Sequence, residues 1–210
     1  MNKVEIIIAG VGGQGTMLAA RVLGRAACSA GLKAVGAELL GLSQRGGAVV
    51  SHVRIGDDVY SPVVMEGSAD ILLGFEPSEA VRRLPYVSTK GLIIVNTAPF
   101  VPPSVSMGLA SYPSLEQLLE TLSSHAATVP LNAKELAMRS GNPITLNAVM
   151  LGALAATGKL PFSRDVLSKT LAASVPEKLS DVNLKAFNLG YEAYLSAAAR
   201  TIAGSHARQP

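Results

Sequence analysis

The sequence predicts an α/β fold: a three-layer, mostly parallel sheet with a β-hairpin insertion and C-terminal helices. Apolar, β-branched runs at residues 4–9 and 91–96 are typical of central strands that are covered on both faces. A glycine-rich turn follows the first run and leads into a helical pattern, as in a strand–helix–strand unit. Beyond Asn132 the pattern is helical to the end of the chain. Together these three observations predict the fold class.

The first third of the chain departs from a plain dinucleotide-binding plan after its second strand. Residues 16–30 form the predicted first helix, which ends at Gly31, and residues 33–37 form the second strand. Residues 48–55 then alternate, with one apolar face, and a short turn connects them to residues 59–61. We therefore expect 48–55 and 59–61 to form a hairpin where a second crossover helix would otherwise lie.

The rest of the chain resumes the parallel-sheet pattern and then becomes helical. The predicted strands are 69–75, 91–96 and 127–130, and the predicted helices are 77–84, 114–124, 132–139, 144–157, 163–173 and 181–203. The sequence contains no internal repeat. We predict a single domain over residues 1–210, with an α/β core at 1–130 and a helical part at 131–210.

The composition indicates a chain that needs a partner surface. Of the 210 residues, 49% are hydrophobic and only 16% are charged, which leaves more apolar side chains than one core accommodates. We expect a partner to cover the remainder, and the isolated chain to form homo-oligomers or to aggregate. No unbroken apolar run reaches the roughly 18 residues of a membrane span, and the first residues lack a signal-peptide cleavage site. We therefore predict a cytoplasmic protein with no membrane partner.

The cysteine and histidine content limits the cofactors that the chain could hold alone. Cys28 is the single cysteine, so a disulfide is impossible and the four thiolates of an iron–sulfur cluster are missing. The three histidines have no metal-binding spacing, and we expect neither a metal nor a cofactor to be bound by this chain alone. The net charge of +3 is dispersed and tryptophan is absent, which argues against a nucleic-acid partner.

The first candidate site is the glycine-rich turn Gly10–Gly15, which matches the spacing G-x-G-x-x-G between a strand and a helix. The free N–H groups of the helix N-terminus could accept an anion, or a carboxylate or carbonyl of a partner. The alternative is close strand–helix packing with no ligand. Gln14 could reach a neighbouring chain, and Glu38 stands near the position of a ribose-binding acid. Thr16 follows Gly15 where a P-loop has lysine, which excludes that motif.

The second candidate site is a polar turn that contains Arg45. A guanidinium between polar and glycine neighbours suits a carboxylate or a phosphate, and the alternative is a surface turn with a solvated arginine. Both turns are predicted to emerge at the same edge of the sheet, which favours a functional interpretation. The candidate active-site-facing or cofactor-binding residues are Gly12, Gly13, Gln14, Gly15, Ser43, Gln44, Arg45, Gly46 and Gly47.

The sequence shows no arrangement typical of nucleophilic catalysis, and we name no catalytic residue. Ser51 and His52 are neighbours on a strand and point to opposite faces, so they cannot pair. Cys28 is expected to be a buried small hydrophobe. Asn147, within an apolar helix, is expected to be a hydrogen-bonded polar group of the core or of an interface.

Several of these motifs, in this order along the chain, resemble the gamma-type subunit of 2-oxoacid:ferredoxin oxidoreductases, closest to the beta subunit of the indolepyruvate enzymes. The likeness extends over roughly residues 5–195 and is therefore far more specific than a lone glycine-rich turn. It rests on GVGGQG at 10–15, SQRGG at 43–47, VRIG at 53–56, YSP at 60–62, DILLGFEP at 70–77, VNT at 95–97, and GN at 141–142 with Asn147.

The resemblance implies a function for the chain within a larger enzyme. Such enzymes oxidatively decarboxylate arylpyruvates or other 2-oxoacids with coenzyme A, giving an acyl-CoA, CO2 and reduced ferredoxin. Thiamine diphosphate, Mg and the [4Fe-4S] clusters would belong to a large partner subunit, and ferredoxin would be reached through the complex. This chain would be the non-cofactor subunit, with the two turns facing the active complex.

Two other interpretations remain open at this point. The first is a free-standing, Rossmann-like NAD- or nucleotide-binding protein, in which Glu38 would hold a ribose. The second is a structural or regulatory binding module whose glycine-rich turns hold no ligand. The hairpin argues against the former, because it replaces the helix that a dinucleotide-binding fold places there.

Overall fold

The protein is built around a mixed six-stranded sheet. The structure is a computed structural model that describes residues 3–41, 47–102, 105 and 107–206, with 200–206 described by their backbone only. The strands lie in the order β2-β3-β1-β4-β5-β6. Their bounds are β1 Val4–Val11, β2 Ala34–Leu40, β3 Ala48–Ile55, β4 Ala69–Gly74, β5 Val87–Asn96 and β6 Ala127–Leu131.

The strand directions make the sheet mostly parallel, as predicted. β1 runs parallel to β4, β4 to β5, and β5 to β6, whereas β3 is antiparallel to both of its neighbours, β1 and β2. β2 therefore runs in the same direction as β1. The ends of these five strands define one side of the sheet, which we call the carboxyl edge. The predicted fold class is confirmed.

The hairpin differs from the prediction in its second arm. β3 pairs with β2, in a register from Ala34 opposite Ile55 to Leu40 opposite Val49, and not with residues 59–61. No strand is assigned to 59–61, although the Arg54 guanidinium holds that segment by donating to the Ser61 carbonyl at 2.6 Å. The second strand is longer than its apolar stretch suggested, because seven backbone pairs with β3 carry it to Leu40.

Seven helices of the described residues cover the two faces of the sheet. Their bounds are α1 Thr16–Ser29, α2 Pro77–Val81, α3 Leu115–His125, α4 Ala133–Ser140, α5 Leu146–Ala156, α6 Arg164–Ala173 and α7 Ser180–His206. α1 and α4–α7 pack on one face and share one apolar cluster with it. α2 and α3 pack on the other face. The three predicted layers and the predicted helical C-terminal part are both present.

The C-terminal helices owe their position to an apolar helix and two glycines. Every residue of α5 from Leu146 to Leu154 is buried, so this helix has no polar face and must be surrounded. α7 crosses it closely, with Gly152 of α5 and Gly190 of α7 facing the backbone of the other helix. This crossing brings the N-terminus of α5 to the carboxyl edge, beside the turn between β1 and α1.

Candidate functional site

The two predicted turns meet at the carboxyl edge, as far as the structure describes them. The Gly12 N–H donates to the Gly47 carbonyl at 2.9 Å, which ties the turn after β1 to the residue before β3. Four of the predicted site residues, Ser43, Gln44, Arg45 and Gly46, lie outside the described residues. The predicted proximity is thus confirmed for the first turn and Gly47, and the functional role of both turns stays a prediction.

The backbone of the first turn depends on two glycines with positive φ. Gly13 has φ +97° and Gly15, the N-cap of α1, has φ +80°, a region that residues with a side chain rarely adopt. Gly12 and Gly13 are exposed. Among the described residues, no heavy atom lies within 4 Å of a Cβ placed on Gly13. The turn therefore presents bare backbone to its surroundings.

The Gln14 side chain anchors this turn to the sheet. Its Oε1 accepts from the Val11 N–H at 2.9 Å, and its Nε2 donates to the Phe75 carbonyl at 3.2 Å. The carboxamide thus links the end of β1 to the residue that follows β4. Each end of the carboxamide makes one bond within its own chain, and the expectation that Gln14 reaches a neighbouring chain stays a prediction.

Asn96 continues this link across the edge, and sequence reasoning did not assign it a role. Its Nδ2 donates to the carbonyls of Phe75 and Ala98 at 2.9 and 3.1 Å. Its Oδ1 accepts from the N–H groups of Ala98 and Ala133, at 3.2 and 3.1 Å. One buried carboxamide therefore joins the ends of β4 and β5 to the start of α4. The signal available in the sequence was an asparagine that ends an apolar strand.

Glu76 is a second residue that sequence reasoning missed. It is only 1% exposed, and its carboxylate accepts from Ser78 Oγ at 2.7 Å, from the Glu79 N–H at 2.9 Å, and from the Tyr112 hydroxyl. It also accepts from the Phe100 N–H at 3.3 Å. These bonds cap α2 and hold both ends of the segment between β5 and α3. Burial and the bond to Glu76 raise the pKa of Tyr112 above its ordinary value, so the phenol remains the donor.

Asn147 lies against the first turn from the helical side. It is buried at the second position of α5, and its Oδ1 accepts from the Ala148 N–H at 2.9 Å, as expected of a hydrogen-bonded polar group. Its Nδ2 would lie 2.8 Å from a Cβ on Gly15. The N-termini of two helices, α1 and α5, and one carboxamide donor therefore converge at the glycine-rich turn.

The electrostatics of this arrangement favour an anionic or carbonyl-bearing group. α1 begins at Gly15 without a side-chain cap and with no acidic residue in its first turn, so its first N–H groups are not satisfied by a cap. The partial positive charge of the helix N-terminus adds to these donors. The arrangement can bind and orient such a group. It does not combine a nucleophile with a base.

The other candidate residues lie away from this turn. Ser51 and His52 are buried on opposite faces of β3, so the prediction that they cannot pair is confirmed. His52 Nδ1 accepts from the Val64 N–H at 3.1 Å, and burial, followed by the charge of Arg83, lowers the pKa of His52. Within the described part of the chain, no group of three or more His, Cys, Asp or Glu residues is placed to hold a metal ion.

Cys28 is exposed, which corrects the expectation of a buried thiol. It lies on the same side of α1 as Ala20 and Gly24, where the helix lines a groove of about 440 Å³ against β2. Helical periodicity predicted the helix correctly. It did not reveal that a short edge strand leaves this side of the helix uncovered.

Glu38 also lines that groove, two strands away from β1. A dinucleotide-binding fold pairs its first two parallel strands directly, which places the ribose-binding acid next to the glycine-rich turn. Here the antiparallel β3 intervenes and separates β1 from β2 by about 10 Å, two strand spacings. This geometry removes the support for the dinucleotide-binding alternative.

Comparison with known proteins gives consistent matches along the chain. Residues 5–193 match the family described as pyruvate ferredoxin/flavodoxin oxidoreductase. The indolepyruvate oxidoreductase subunit IorB of Pyrococcus horikoshii is 46% identical over 92% of this chain and 96% of its own length. The crystal structure of a keto/oxoacid ferredoxin oxidoreductase gamma subunit from Geobacter sulfurreducens aligns with a TM-score of 0.69 and 29% identity, over 92% of this chain and 99% of that chain.

A longer relative contains the same region as part of its chain. The ketoisovalerate oxidoreductase subunit VorA of Methanothermobacter marburgensis is 30% identical over 90% of this chain, which corresponds to 36% of its own length.

In the described part of this protein, none of the helices is long and apolar enough to cross a bilayer.

Proposed function

The chain belongs to the pyruvate ferredoxin/flavodoxin oxidoreductase family, and we propose that it is the small subunit of an enzyme acting on indolepyruvate or a related arylpyruvate. It is a subunit of a 2-oxoacid:ferredoxin oxidoreductase. The single observation that carries the finer assignment is the 46% identity to an indolepyruvate oxidoreductase subunit over nearly the full length of both chains. The complex would convert the 2-oxoacid and CoA to an acyl-CoA and CO2, with reduction of ferredoxin.

The cofactors of this reaction belong, in our proposal, to a large partner subunit. Releasing CO2 from a 2-oxoacid requires a group that stabilises the resulting carbanion, and thiamine diphosphate with Mg supplies that chemistry. Passing the electrons to ferredoxin requires [4Fe-4S] clusters, each of which normally needs four thiolates, and this chain contains one cysteine. We therefore place thiamine diphosphate, Mg and the clusters in the partner, and ferredoxin reaches the complex there.

For the first turn and Gly47 we propose a position facing the shared active complex. The support is the exposed backbone of Gly12 and Gly13, the uncapped start of α1 and the Asn147 carboxamide beside Gly15. CoA, the anionic co-substrate, is the ligand whose phosphates suit these donors. Ser43, Gln44, Arg45 and Gly46 are proposed to complete the site from the second turn, with Arg45 as a cation for the same charge.

We further propose that residues 1–210 act as one domain in the cytoplasm. The C-terminal helices and one sheet face share a single apolar cluster, which supports folding of the two parts together. The large subunit is the proposed partner, and neither nucleic acid nor a membrane is needed for this function.

Co-expression with the large subunit tests the assignment. We expect the two chains to co-purify as a brown complex that reduces ferredoxin when supplied with indolepyruvate and CoA, and more slowly with pyruvate. The small chain alone should do neither. A chain that never associates with a thiamine- and cluster-bearing protein would rule out the subunit role, and equal rates with pyruvate would remove the arylpyruvate assignment.

Arg45→Ala, assayed in the intact complex, tests the second turn. If the guanidinium faces the anionic co-substrate, the KM for CoA should rise on the order of tenfold, since one charge-assisted contact is lost. Lys169→Ala, at an exposed cation on α6, is the matched control and should leave this KM unchanged. An unchanged KM in Arg45→Ala would favour a solvated surface turn.

A further inference from the structure

Exposed apolar side chains occur in the segments that meet at the carboxyl edge, where the glycine-rich turn also lies. Six of them define what we call the carboxyl-edge face: Leu39, Leu40, Phe100, Met107, Leu109 and Ile144. They are between 44% and 78% exposed, although side chains of this kind are normally buried. Single exposed apolar residues are unremarkable in a soluble protein, but a group around one site marks an interaction surface.

The contacts of the fold place these side chains at one edge. Leu39 and Leu40 are the last residues of β2, where the strand reaches the carboxyl edge. As strand neighbours they point to opposite sides of the sheet, so the surface they belong to extends across this edge. Ile144 stands three residues before Asn147, whose carboxamide lies against Gly15. Phe100 follows the end of β5, and its N–H is bonded to Glu76 just after β4.

The segment that carries Phe100, Met107 and Leu109 is held at both ends. The buried Glu76 carboxylate accepts from the Phe100 N–H at one end and from the Tyr112 hydroxyl at the other. Both bonds are accepted by the same buried oxygen, Oε1, so this oxygen would lose its described partners only if both ends were released. The described apolar side chains of this segment are therefore presented from a fixed support, and less ordering is required when a partner binds.

The absence of charge in one segment of this face indicates which kind of partner surface would fit it. Residues 97–112 contain no Asp, Glu, Lys, Arg or His. An uncharged apolar face gains most from an apolar partner surface, and charged groups brought against it would lose hydration without acquiring a counter-charge. The surface that matches residues 97–112 must therefore be apolar and poor in charge.

The longer relative identifies the occupant. In the ketoisovalerate oxidoreductase subunit VorA, the region matching this chain occupies 36% of the length. The remainder of that chain is covalently joined to the matching region, which keeps it close in space. This linkage favours a different polypeptide, the large subunit of the proposed function, over a second copy of the small chain as the occupant.

We propose that the carboxyl-edge face docks onto an apolar surface of the large subunit, so that the glycine-rich turn becomes enclosed at the interface between the two subunits. This rests on the proposed function. Enclosure excludes water from the turn and strengthens the electrostatic effect of the α1 and α5 N-termini on a bound anion. Docking also covers exposed apolar side chains, as the composition of 49% hydrophobic and 16% charged residues led us to expect.

The test measures the dissociation constant between the small chain and the purified large subunit. Leu40→Glu/Leu109→Glu places two charges on the face, and we expect the dissociation constant to rise at least about tenfold. The control is Val63→Glu/Met65→Glu, outside the face: Met65 is 74% exposed, close to the 78% of Leu109, and both residues lie in the segment that precedes β4, at the opposite edge. The control should stay within about twofold of wild type.

The outcomes separate this proposal from the proposed function. If the wild-type chains do not associate at all, the function fails. If they associate and the Leu40→Glu/Leu109→Glu chain binds like wild type, the docking face is wrong, as it is if the control pair weakens binding equally. Hydrogen exchange on the wild-type complex provides a measurement that needs no variant. Peptides over 97–112 should become protected on assembly and peptides over 60–68 should not, and the reverse pattern would overturn the proposal.

Discussion

Glycine serves opposite purposes in two regions of this chain, the α5–α7 crossing and the turn between β1 and α1. At the crossing, a Cβ on Gly152 would lie 1.9 Å from the Phe187 carbonyl oxygen, and one on Gly190 would lie 2.0 Å from the Val149 carbonyl oxygen. At the turn, a Cβ on Gly13 would have no heavy atom of the described residues within 4 Å, yet φ is +97°. The first region excludes a side chain by contact, and the second by backbone conformation.

This difference distinguishes glycines that close packing requires from a glycine that the backbone conformation requires. The crossing glycines are needed because atoms of the same chain occupy the space, so their role is complete within the fold. The Gly13 conformation leaves space unfilled, and its positive φ is one that glycine adopts without strain but that other residues rarely adopt. The crossing therefore contributes to stability through packing, whereas packing within the described chain does not explain Gly13, and its role in facing a partner stays a proposal.

The largest effect is expected at the crossing. Gly190→Ala forces the helices apart, and the free energy of unfolding should fall by about 3 kcal/mol. Gly24→Ala is the matched control, because Gly24 lies within α1 and a Cβ there meets no heavy atom of the described residues within 4 Å. This control should raise the free energy of unfolding by about 1 kcal/mol. Urea unfolding of both variants checks the comparison, and similar values would show that the crossing can adjust.

A smaller loss of stability, with a larger effect on turnover, is expected at the turn. Gly13→Ala should lower the free energy of unfolding by about 1–2 kcal/mol, the cost of a side chain at positive φ. Turnover of the assembled complex should fall on the order of tenfold, since the backbone that faces the partner moves. Gly158→Ala has a similar φ of +65° and also lacks described neighbours within 4 Å, but it lies at the end of α5. It should cost similar stability and leave turnover unchanged; equal turnover in both variants would remove the functional role of the turn.

Replacing Gln14, the anchor of the turn, should lower the free energy of unfolding by about 1 kcal/mol. Gln14→Leu removes the acceptor of the Val11 N–H and the donor to the Phe75 carbonyl, while the latter keeps its bond from Asn96. Turnover should fall with stability, because the turn loses its fixed position. Gln117→Leu, in the exposed capping box of α3, is the control and should reduce stability without changing turnover. Thermal unfolding and ferredoxin reduction measure the two effects.

The smallest effect is a pH dependence that belongs to neither region. The pKa of His52 is lowered by burial, so protonation favours the unfolded chain, and the contribution of neutral His52 is complete above its unfolded pKa of about 6.5 and is lost as the pH falls below it. Between pH 7 and pH 6 the free energy of unfolding should decrease by at most about 0.7 kcal/mol from this group. His52→Gln keeps an acceptor for the Val64 N–H and should lose this part of the pH dependence. An unchanged pH dependence would assign it to another group.

Much of the fold could be predicted because its signals are local. The continuous apolar run of β1 predicts a strand that is covered on both faces, and this strand is buried. A serine such as Ser163 is typical of a helix start, and its Oγ accepts from the Val166 N–H at the beginning of α6. The predicted hairpin paired β3 with residues 59–61, whereas β3 pairs with β2, which precedes it. The choice between these two partners depends on contacts between strands, which a local pattern does not report. The prediction that Cys28 is buried was wrong for a related reason, since the exposure of that side of α1 depends on how far β2 extends over it.

The candidate site divides in the same way. Gly12, Gly13, Gln14, Gly15 and Gly47 could be found because a glycine-rich turn between a strand and a helix has a recognisable spacing. The roles of Glu76 and Asn96 could not, since each also bonds to a residue 21 or more positions away in the chain. Asn147 was identified as a hydrogen-bonded polar group, but its position against Gly15, 132 residues away, was not. Distant hydrogen bonds leave no periodic pattern in a sequence.

By itself, the sequence determined the fold class, the order of most helices and strands, and the glycine-rich turn, and its single cysteine is too few for the thiolates of an iron–sulfur cluster. Tertiary structure alone decided that β3 separates β2 from β1, that Gln14 turns inward, and that two helix N-termini converge beside Gly15. The reason is physical: backbone propensities and side-chain periodicity act between near neighbours, whereas register and buried hydrogen bonds are settled only when distant segments pack against each other.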